Sequence, residues 1–98
     1  MIDAAELIDN EFLRQFELKV KEDLAKIEYS LQERKIFLTK LIVPEEVNND
    51  QFVEDFLRLV LENIQERNIS VVPTSPPIAK FIRKNRRYKS MLPVGVRI

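Results

Sequence analysis

The chain has 98 residues, of which 45% are hydrophobic and 33% charged, with 16 acidic and 16 basic side chains. This composition is typical of one globular domain, and the length leaves no room for a second. The sequence contains no cysteine and no histidine. Disulfides, thiolate nucleophiles, Ser-His catalytic pairs and most zinc sites are therefore excluded, and we expect no metal centre.

The balanced net charge conceals an uneven distribution along the chain. All 16 acidic residues lie within residues 1–66 beside 8 basic ones, whereas residues 67–98 hold the other 8 basic residues and no acid. The split predicts electrostatic contact between the two halves, either within one molecule or between two copies.

The beginning of the chain gives little sign of structure or targeting. Residues 1–11 are polar with scattered aliphatics, and we interpret them as a loosely held lead-in to a single domain spanning 1–98. They lack the basic and apolar segments of a signal peptide, and no apolar run approaches the roughly 20 residues of a membrane span. We therefore expect a cytoplasmic protein that makes no membrane contact.

Three strands are predicted next in the chain. Residues 16–20 and 25–31 alternate between apolar and polar side chains, as half-buried strands do. Residues 36–43 are apolar on both faces, which is typical of a central strand covered on both sides. Three-residue turns over 21–23 and 32–34 would join the strands into an antiparallel meander.

A helix, a short strand and a second helix are predicted to follow. Apolar residues recur with helical spacing over residues 50–67, and the strand at 69–72 ends at Pro73. Pro76 and Pro77 suit the first turn of a helix. Since a right-handed crossover makes the last strand parallel to the third, the order β-β-β-α-β-α predicts an α+β fold with a mixed, mostly antiparallel sheet and two helices.

Several short segments resemble a known family. They read Phe-Glu-Leu-x-Val at 16–20, Val-Pro-Glu at 43–45, Asn-Ile-Ser-Val-Val-Pro at 68–73 and Ile-Ala-x-Phe-Ile-Arg at 78–83. Their order and spacing, over about residues 9–90, resemble the smallest, roughly hundred-residue members of the GNAT superfamily of acetyltransferases. The resemblance implies a reduced GNAT-like fold and transfer of an acetyl group from acetyl-CoA to an amine.

The resemblance places the coenzyme loop at the start of the first helix. In the family this loop reads Gln/Arg-x-x-Gly-x-Gly/Ala, and its small residues let backbone N–H groups approach the pyrophosphate. In this chain the small-residue positions hold Asn49, Gln51 and Val53, and the last two have bulky side chains. The matching loop residues are Asn48, Asn49, Asp50, Gln51, Phe52 and Val53.

Charge around this loop also opposes a polyanion. A pair of like charges about 4 Å apart costs ~1 kcal/mol in water and ~4 kcal/mol near a protein surface. We therefore predict that the loop is degenerate and that no cofactor is bound, with the acids serving to favour the helix dipole. Five carboxylates surround the loop, namely Glu45, Glu46, Asp50, Glu54 and Asp55.

The family's chemical groups are also missing. Where the resemblance implies a histidine and a glutamate beside the acyl site, the chain has Lys40 and Ile42. Ser75 occupies the position of a suspected catalytic cysteine and is the catalytic candidate by position alone. Because no histidine can deprotonate it, the competing interpretation is a turn residue whose hydroxyl satisfies a backbone group.

Two functions are compatible with these residues. The first is an acetyltransferase-like, non-catalytic protein that acts through a basic surface, either by forming a homodimer through acidic and basic faces or by binding another protein. Nucleic acid is a further candidate partner, although Tyr88 is the sole exposed aromatic expected nearby. The predicted partner-binding residues are Lys80, Arg83, Lys84 and Arg87.

The second function is an acetyl-CoA-dependent N-acetyltransferase with an atypical cofactor loop. In that alternative the basic second helix would reach the 3′-phosphate of the coenzyme in place of the loop.

Overall fold

The computed structural model describes residues 6–96. Five strands form one sheet in chain order, namely β1 (Ile8–Asn10), β2 (Gln15–Val20), β3 (Asp23–Gln32), β4 (Lys35–Ile42) and β5 (Ser70–Pro73). Helix α1 (Asp50–Glu66) connects β4 to β5, and helix α2 (Pro76–Lys84) follows β5. Short 3-10 segments span Glu45–Val47 and Arg86–Met91. The predicted α+β class, with its reduced GNAT-like order of strands and helices, is confirmed.

The sheet is antiparallel from β1 to β4 and parallel between β4 and β5. Phe16 lies opposite Ile27, and Ile36 lies opposite Val71, so these buried side chains share one face of the sheet. The apolar faces of α1 and α2 belong to the same buried cluster. Both helices therefore cover this one face, as expected for a two-layer α+β domain.

The opposite face of the sheet corrects one expectation. Residues 36–43 suggested a strand covered on both sides, but Phe37 and Val72, which pair across β4 and β5, are only half-buried on the face away from the helices. Within residues 6–96, no helix covers that face. Apolar residues on both faces of β4 therefore do not indicate a second helical layer in this fold.

The turns between β2, β3 and β4 are shorter than predicted. Val20 pairs with Asp23 and Gln32 pairs with Lys35, so two residues rather than three form each turn. The first turn residues, Lys21 and Glu33, have positive φ angles of 56° and 58°. Two-residue hairpin turns need such angles to match the strand twist, and glycine or asparagine usually supplies them. Because neither glycine nor asparagine occupies these positions, the sequence located both turns but did not indicate that they have only two residues.

The predicted lead-in contains a strand that the sequence analysis missed. β1 pairs with β2 along its whole length, and residues 1–5 of the lead-in lie outside the described residues. The carboxylate of Asp9 lies 2.7 Å from the guanidinium of Arg67 and accepts a 2.5 Å hydrogen bond from the hydroxyl of Tyr29. One isoleucine followed by two polar residues carries no strand signal, so this edge is defined by tertiary contacts and not by local pattern.

No helix among residues 6–96 has both the length and the apolar surface that crossing a membrane would require.

Candidate functional site

The entrance to α1 is held by hydrogen bonds within the chain. Asn49 is the N-cap, with extended backbone angles of φ −132° and ψ 161°. Its side-chain oxygen accepts a 2.9 Å hydrogen bond from the N–H of Phe52, and its carbonyl accepts a 3.1 Å bond from the N–H of Val53. The bond to Val53 is the first regular bond of the helix, whereas the N–H of Phe52 is one of the terminal groups that a phosphate would approach and is already bonded to Asn49.

The side chains of residues 51–53 also take up room at the entrance to α1. Phe52 and Val53 are half-buried and pack against the core. Gln51 is exposed, and its amide donates a 3.0 Å hydrogen bond to the carboxylate of Asp55. This entrance lacks the glycine backbone that the coenzyme's pyrophosphate requires, so the residues present do not fit the group.

The five carboxylates expected around the loop fall into three places. Glu45 and Glu46 line an open cleft of about 670 Å³ at the end of β4. Asp50 and Glu54 line a separate groove beside α1, and Asp55 lies 3.3 Å from the guanidinium of Arg58. The negative charge is thus spread around the entrance and not focused on one point.

The cleft at the end of β4 contains two further acids that sequence reasoning missed. Glu22 lies in the turn between β2 and β3 and Asp23 begins β3, and the sheet register brings both beside the end of β4. The pairing of Lys26 with Ile42 is the register that unites them. Only the register could have revealed this proximity, because the residues lie about twenty positions apart in sequence.

Ser75 lies where β5 passes into α2. It is buried, its N–H donates a 3.2 Å hydrogen bond to the carbonyl of Leu38, and its own carbonyl accepts from the N–H of Ala79. Its hydroxyl makes no capping bond to α2. Pro77, at the second position of the helix, lacks one of the two N–H groups that an N-cap serine normally binds.

Thr74 performs the role expected of Ser75. Its hydroxyl and its N–H both donate to the carbonyl of Leu38, at 3.2 and 3.1 Å. Leu38 is also the last residue of β4 that pairs with β5. The two parallel strands therefore part at this carbonyl, which is saturated with donors.

Beyond Leu38, where β4 separates from β5, the strand has neither a histidine nor a glutamate. Thr39 is skipped in the pairing with β3, and its hydroxyl donates a 3.2 Å hydrogen bond to the carbonyl of Glu28. Lys40 is exposed, and Ile42 faces the acidic cleft. The positions at which the resemblance implies a histidine and a glutamate thus hold an ammonium group and an aliphatic side chain.

The four predicted partner-binding residues separate into two groups. Lys80, Arg83 and Lys84 are exposed on α2 and form no ion pair among residues 6–96. Arg87 lies beyond the end of α2, 3.6 Å from the carboxylate of Glu62. The helical spacing of positions 80, 83, 84 and 87 predicts that all four share one side of α2, but this is wrong for Arg87 because the helix ends at Lys84.

Tyr88 corrects a second expectation about this surface. Instead of being exposed it is among the most buried side chains, with its ring 5.8 Å from that of Phe81 and its hydroxyl bonded to Glu62. Burial, followed by the negative charge of Glu62, raises the pKa of Tyr88. Tyr88 is the one aromatic that the sequence predicts to be exposed near the basic residues, and its burial leaves no exposed ring there for base stacking among residues 6–96.

The two halves of the chain do meet within one molecule. The ion pairs Arg67–Asp9 and Arg87–Glu62 each join a basic residue of 67–98 to an acid of 1–66. The intramolecular alternative for the charge split is confirmed for these two residues.

A groove between α1 and α2 unites the two predicted sites. It encloses about 240 Å³, and Val53, Leu57 and Phe81 form its apolar floor. Asp50 and Glu54 stand on the α1 side, opposite two lysines of α2. The complete lining is Asp50, Val53, Glu54, Leu57, Pro77, Lys80, Phe81 and Lys84. Sequence analysis treated the loop and the basic helix as separate, because nothing local indicates that α1 and α2 are neighbours.

Comparison with known proteins adds the family. A search of curated proteins found no match. The family model described as GCN5-related N-acetyl-transferase matches residues 15–91, which is well over half of the chain. The match begins at β2 and extends to the 3-10 segment after α2, so it includes the whole parallel crossover and both helices. The chain therefore belongs to the GCN5-related N-acetyltransferase family.

Proposed function

We propose that this protein is a non-catalytic member of its family, which has lost acetyl-CoA binding and acts as a binding domain through its surface. One observation supports the proposal above the others: Asn49 caps α1 through the N–H of Phe52, at the place where the family binds a diphosphate. One of the terminal N–H groups of the helix is therefore satisfied by the chain itself.

The energetics of this entrance oppose a coenzyme. Displacing an N-cap side chain costs ~1 kcal/mol. Each carboxylate about 4 Å from a phosphate adds ~1 to 4 kcal/mol, depending on how far water screens the pair. Asp50 and Glu54 lie within the first two turns of α1, so two such contacts are available. Since ~1.4 kcal/mol corresponds to a tenfold change in affinity, these costs would remove most of the affinity of a coenzyme site.

The catalytic positions support the same conclusion. Ser75 is buried with its N–H bonded to Leu38, and the chain has no histidine to activate its hydroxyl. A serine without an adjacent base is a poor nucleophile at neutral pH. Lys40 and Ile42 offer no carboxylate or imidazole in its place.

The surface that would act instead is the exposed basic face of α2. Lys80, Arg83 and Lys84 have no anionic partner among the described residues, unlike Arg67 and Arg87. Unpaired cations in a chain of balanced charge favour an acidic protein surface, including that of a second copy. Nucleic acid is less well supported, because Tyr88 is buried and the face lacks a stacking aromatic.

The groove between α1 and α2 favours a second candidate, an acetyl-CoA-dependent N-acetyltransferase with an atypical loop. Lys80 and Lys84 stand across the groove from Asp50, so their ammonium groups could replace the loop as phosphate ligands. That arrangement would recruit coenzyme A by charge alone, without the backbone contacts of the family.

Calorimetric titration separates the two candidates. Acetyl-CoA and free coenzyme A are each added to the protein, and the proposal predicts no saturable heat. A matched variant, Asp50→Asn with Glu54→Gln, keeps the size of both side chains but removes both charges. We expect the variant to bind coenzyme A more tightly than the wild type. Wild-type binding tighter than about 100 µM, near −5.5 kcal/mol, would contradict the proposal and favour the second candidate.

A further inference from the structure

Phe12 and Leu13 are displayed on the loop between β1 and β2. Their side chains are 93% and 56% exposed, and with Ile8 at 52% they make three of the five large hydrophobic residues that are exposed among residues 6–96. The loop is fixed, because the side chain of Asn10 accepts a 3.0 Å hydrogen bond from the N–H of Leu13. The carbonyl of Arg14 accepts a 2.9 Å bond from the N–H of Tyr29 in β3. We call Phe12 and Leu13 the knob.

The groove between α1 and α2 has the complementary shape and chemistry. Its floor is apolar, formed by Val53, Leu57 and Phe81, and its volume of about 240 Å³ suits the side chain of one aromatic residue. An apolar side chain entering such a groove removes both surfaces from water, at roughly 25 cal/mol per Å² buried.

Charges beside the knob match those beside the groove. Glu11 and Arg14 flank the knob, and both are exposed with no ion pair among the described residues. Acids line the α1 side of the groove, whereas Lys80 and Lys84 line the α2 side. In one orientation of docking, Glu11 faces the lysines of the groove and Arg14 faces its acids. Because the reverse orientation would bring like charges together, this match fixes the orientation.

The knob and the groove lie at opposite ends of α1. Arg67, directly after the helix, is paired with Asp9 of β1, next to the knob loop, whereas Asp50 begins the helix and lines the groove. A helix of 17 residues is about 25 Å long. The knob therefore cannot reach the groove of its own molecule, and a second copy is the occupant that the distance allows.

We propose that the chain self-associates head to tail, with the knob of one copy inserted in the α1–α2 groove of the next. Such a contact joins two different surfaces, so one contact leaves a free knob and a free groove from which rings or open chains can grow. The contact is small, and we expect weak, concentration-dependent association with a dissociation constant on the order of 0.1 mM. The inference deepens the proposed function and rests on it in one respect, because it requires that no coenzyme occupies the groove.

Sedimentation velocity over a range of protein concentrations tests the contact. The wild type should sediment faster as its concentration rises. Phe12→Asp should remain monomeric, with association weakened at least about tenfold. Val94→Asp is the matched control, because Val94 is equally exposed but lies outside the knob and the groove. Equal sedimentation of all three proteins as monomers would overturn the proposal and leave the knob for another protein partner.

Mixing two variants tests the head-to-tail arrangement itself. Phe12→Asp keeps an intact groove, whereas Lys80→Glu with Lys84→Glu keeps an intact knob but reverses the charge on one wall. Each variant alone should be monomeric, and an equimolar mixture should form a pair that cannot grow further. A mixture that stays monomeric while the wild type associates would contradict the arrangement. The calorimetric titration reports coenzyme binding independently, so failure of one proposal is distinguishable from failure of the other.

Discussion

The two ends of α1 show opposite uses of charge. At its C-terminal end, Arg67 bonds to Asp9 and lies over the ring of Phe16, at 5.7 Å, in a network that fastens the edge strand to the helix. At its N-terminal end, Asp50 is exposed, and the side chain of Asn49 accepts a hydrogen bond from the N–H of Phe52. The comparison shows that the charged side chains at the C-terminal end take part in tertiary contacts that stabilise the fold, whereas Asp50 at the N-terminal end remains exposed to solvent.

The largest expected effect comes from a substitution that disrupts the ion pair at the C-terminal end of α1. Arg67→Ala leaves the carboxylate of Asp9, whose side chain is 14% exposed, without its cation. Removing one partner of a buried pair costs ~3 to 5 kcal/mol. Because the side chain of Arg67 is itself 35% exposed, we expect a smaller loss of ~2 kcal/mol in the free energy of unfolding. Urea unfolding measures this loss, and Arg83→Ala is the control, with a change within about 0.5 kcal/mol. Equal stabilities would show that the network contributes nothing.

The pH dependence of stability tests the same C-terminal network through the hydroxyl of Tyr29. Burial, followed by the hydrogen bond to Asp9, raises the pKa of Tyr29 above its ordinary value. The folded state therefore holds the neutral phenol more tightly than the unfolded state. Its contribution to stability is complete below pH 10 and declines above it, by at most ~1.4 kcal/mol per pH unit.

Tyr29→Phe isolates this contribution. The variant should lose stability less steeply above pH 10 than the wild type, although Tyr88, whose pKa is also raised, retains part of the slope. Unfolding in urea between pH 9 and about pH 11 compares the two slopes. Identical slopes would contradict a role for the Tyr29 hydroxyl in this network.

The N-terminal end should respond more weakly. Asn49→Ala removes the acceptor of the Phe52 N–H and should destabilise the protein by ~1 kcal/mol. Asn48→Ala is the matched control, because Asn48 is exposed and its side chain makes no cap bond. If thermal unfolding finds both variants equally stable, Asn49 is not the cap that closes this terminus.

The sequence predicts the regular parts of this fold well. Alternation over β2 and β3 and the helical spacing of α1 are local signals, so these elements could be located from the residues alone. β1 could not, because its three residues are held by Arg67 and Tyr29 from distant parts of the chain. Local propensity carries no record of such contacts.

The candidate site was only partly predictable for the same reason. Bulky and acidic residues at the entrance of α1 can be read directly from positions 49–54. The pairing of that entrance with Lys80 and Lys84 depends on how two helices pack, and the burial of Tyr88 depends on Phe81 and Glu62. Asn48, Asn49 and Asp50 are all good capping residues, and only tertiary structure selects Asn49.

The backbone amide of Phe52 tests the central claim most directly. Its N–H is bonded to the side chain of Asn49, and a bound diphosphate would have to replace that acceptor. In a nitrogen–proton correlation spectrum recorded with increasing coenzyme A, the account predicts that the amide signals of Phe52 and Val53 stay in place. Saturable shifts of these two signals would show a diphosphate at the entrance of α1 and would contradict the account.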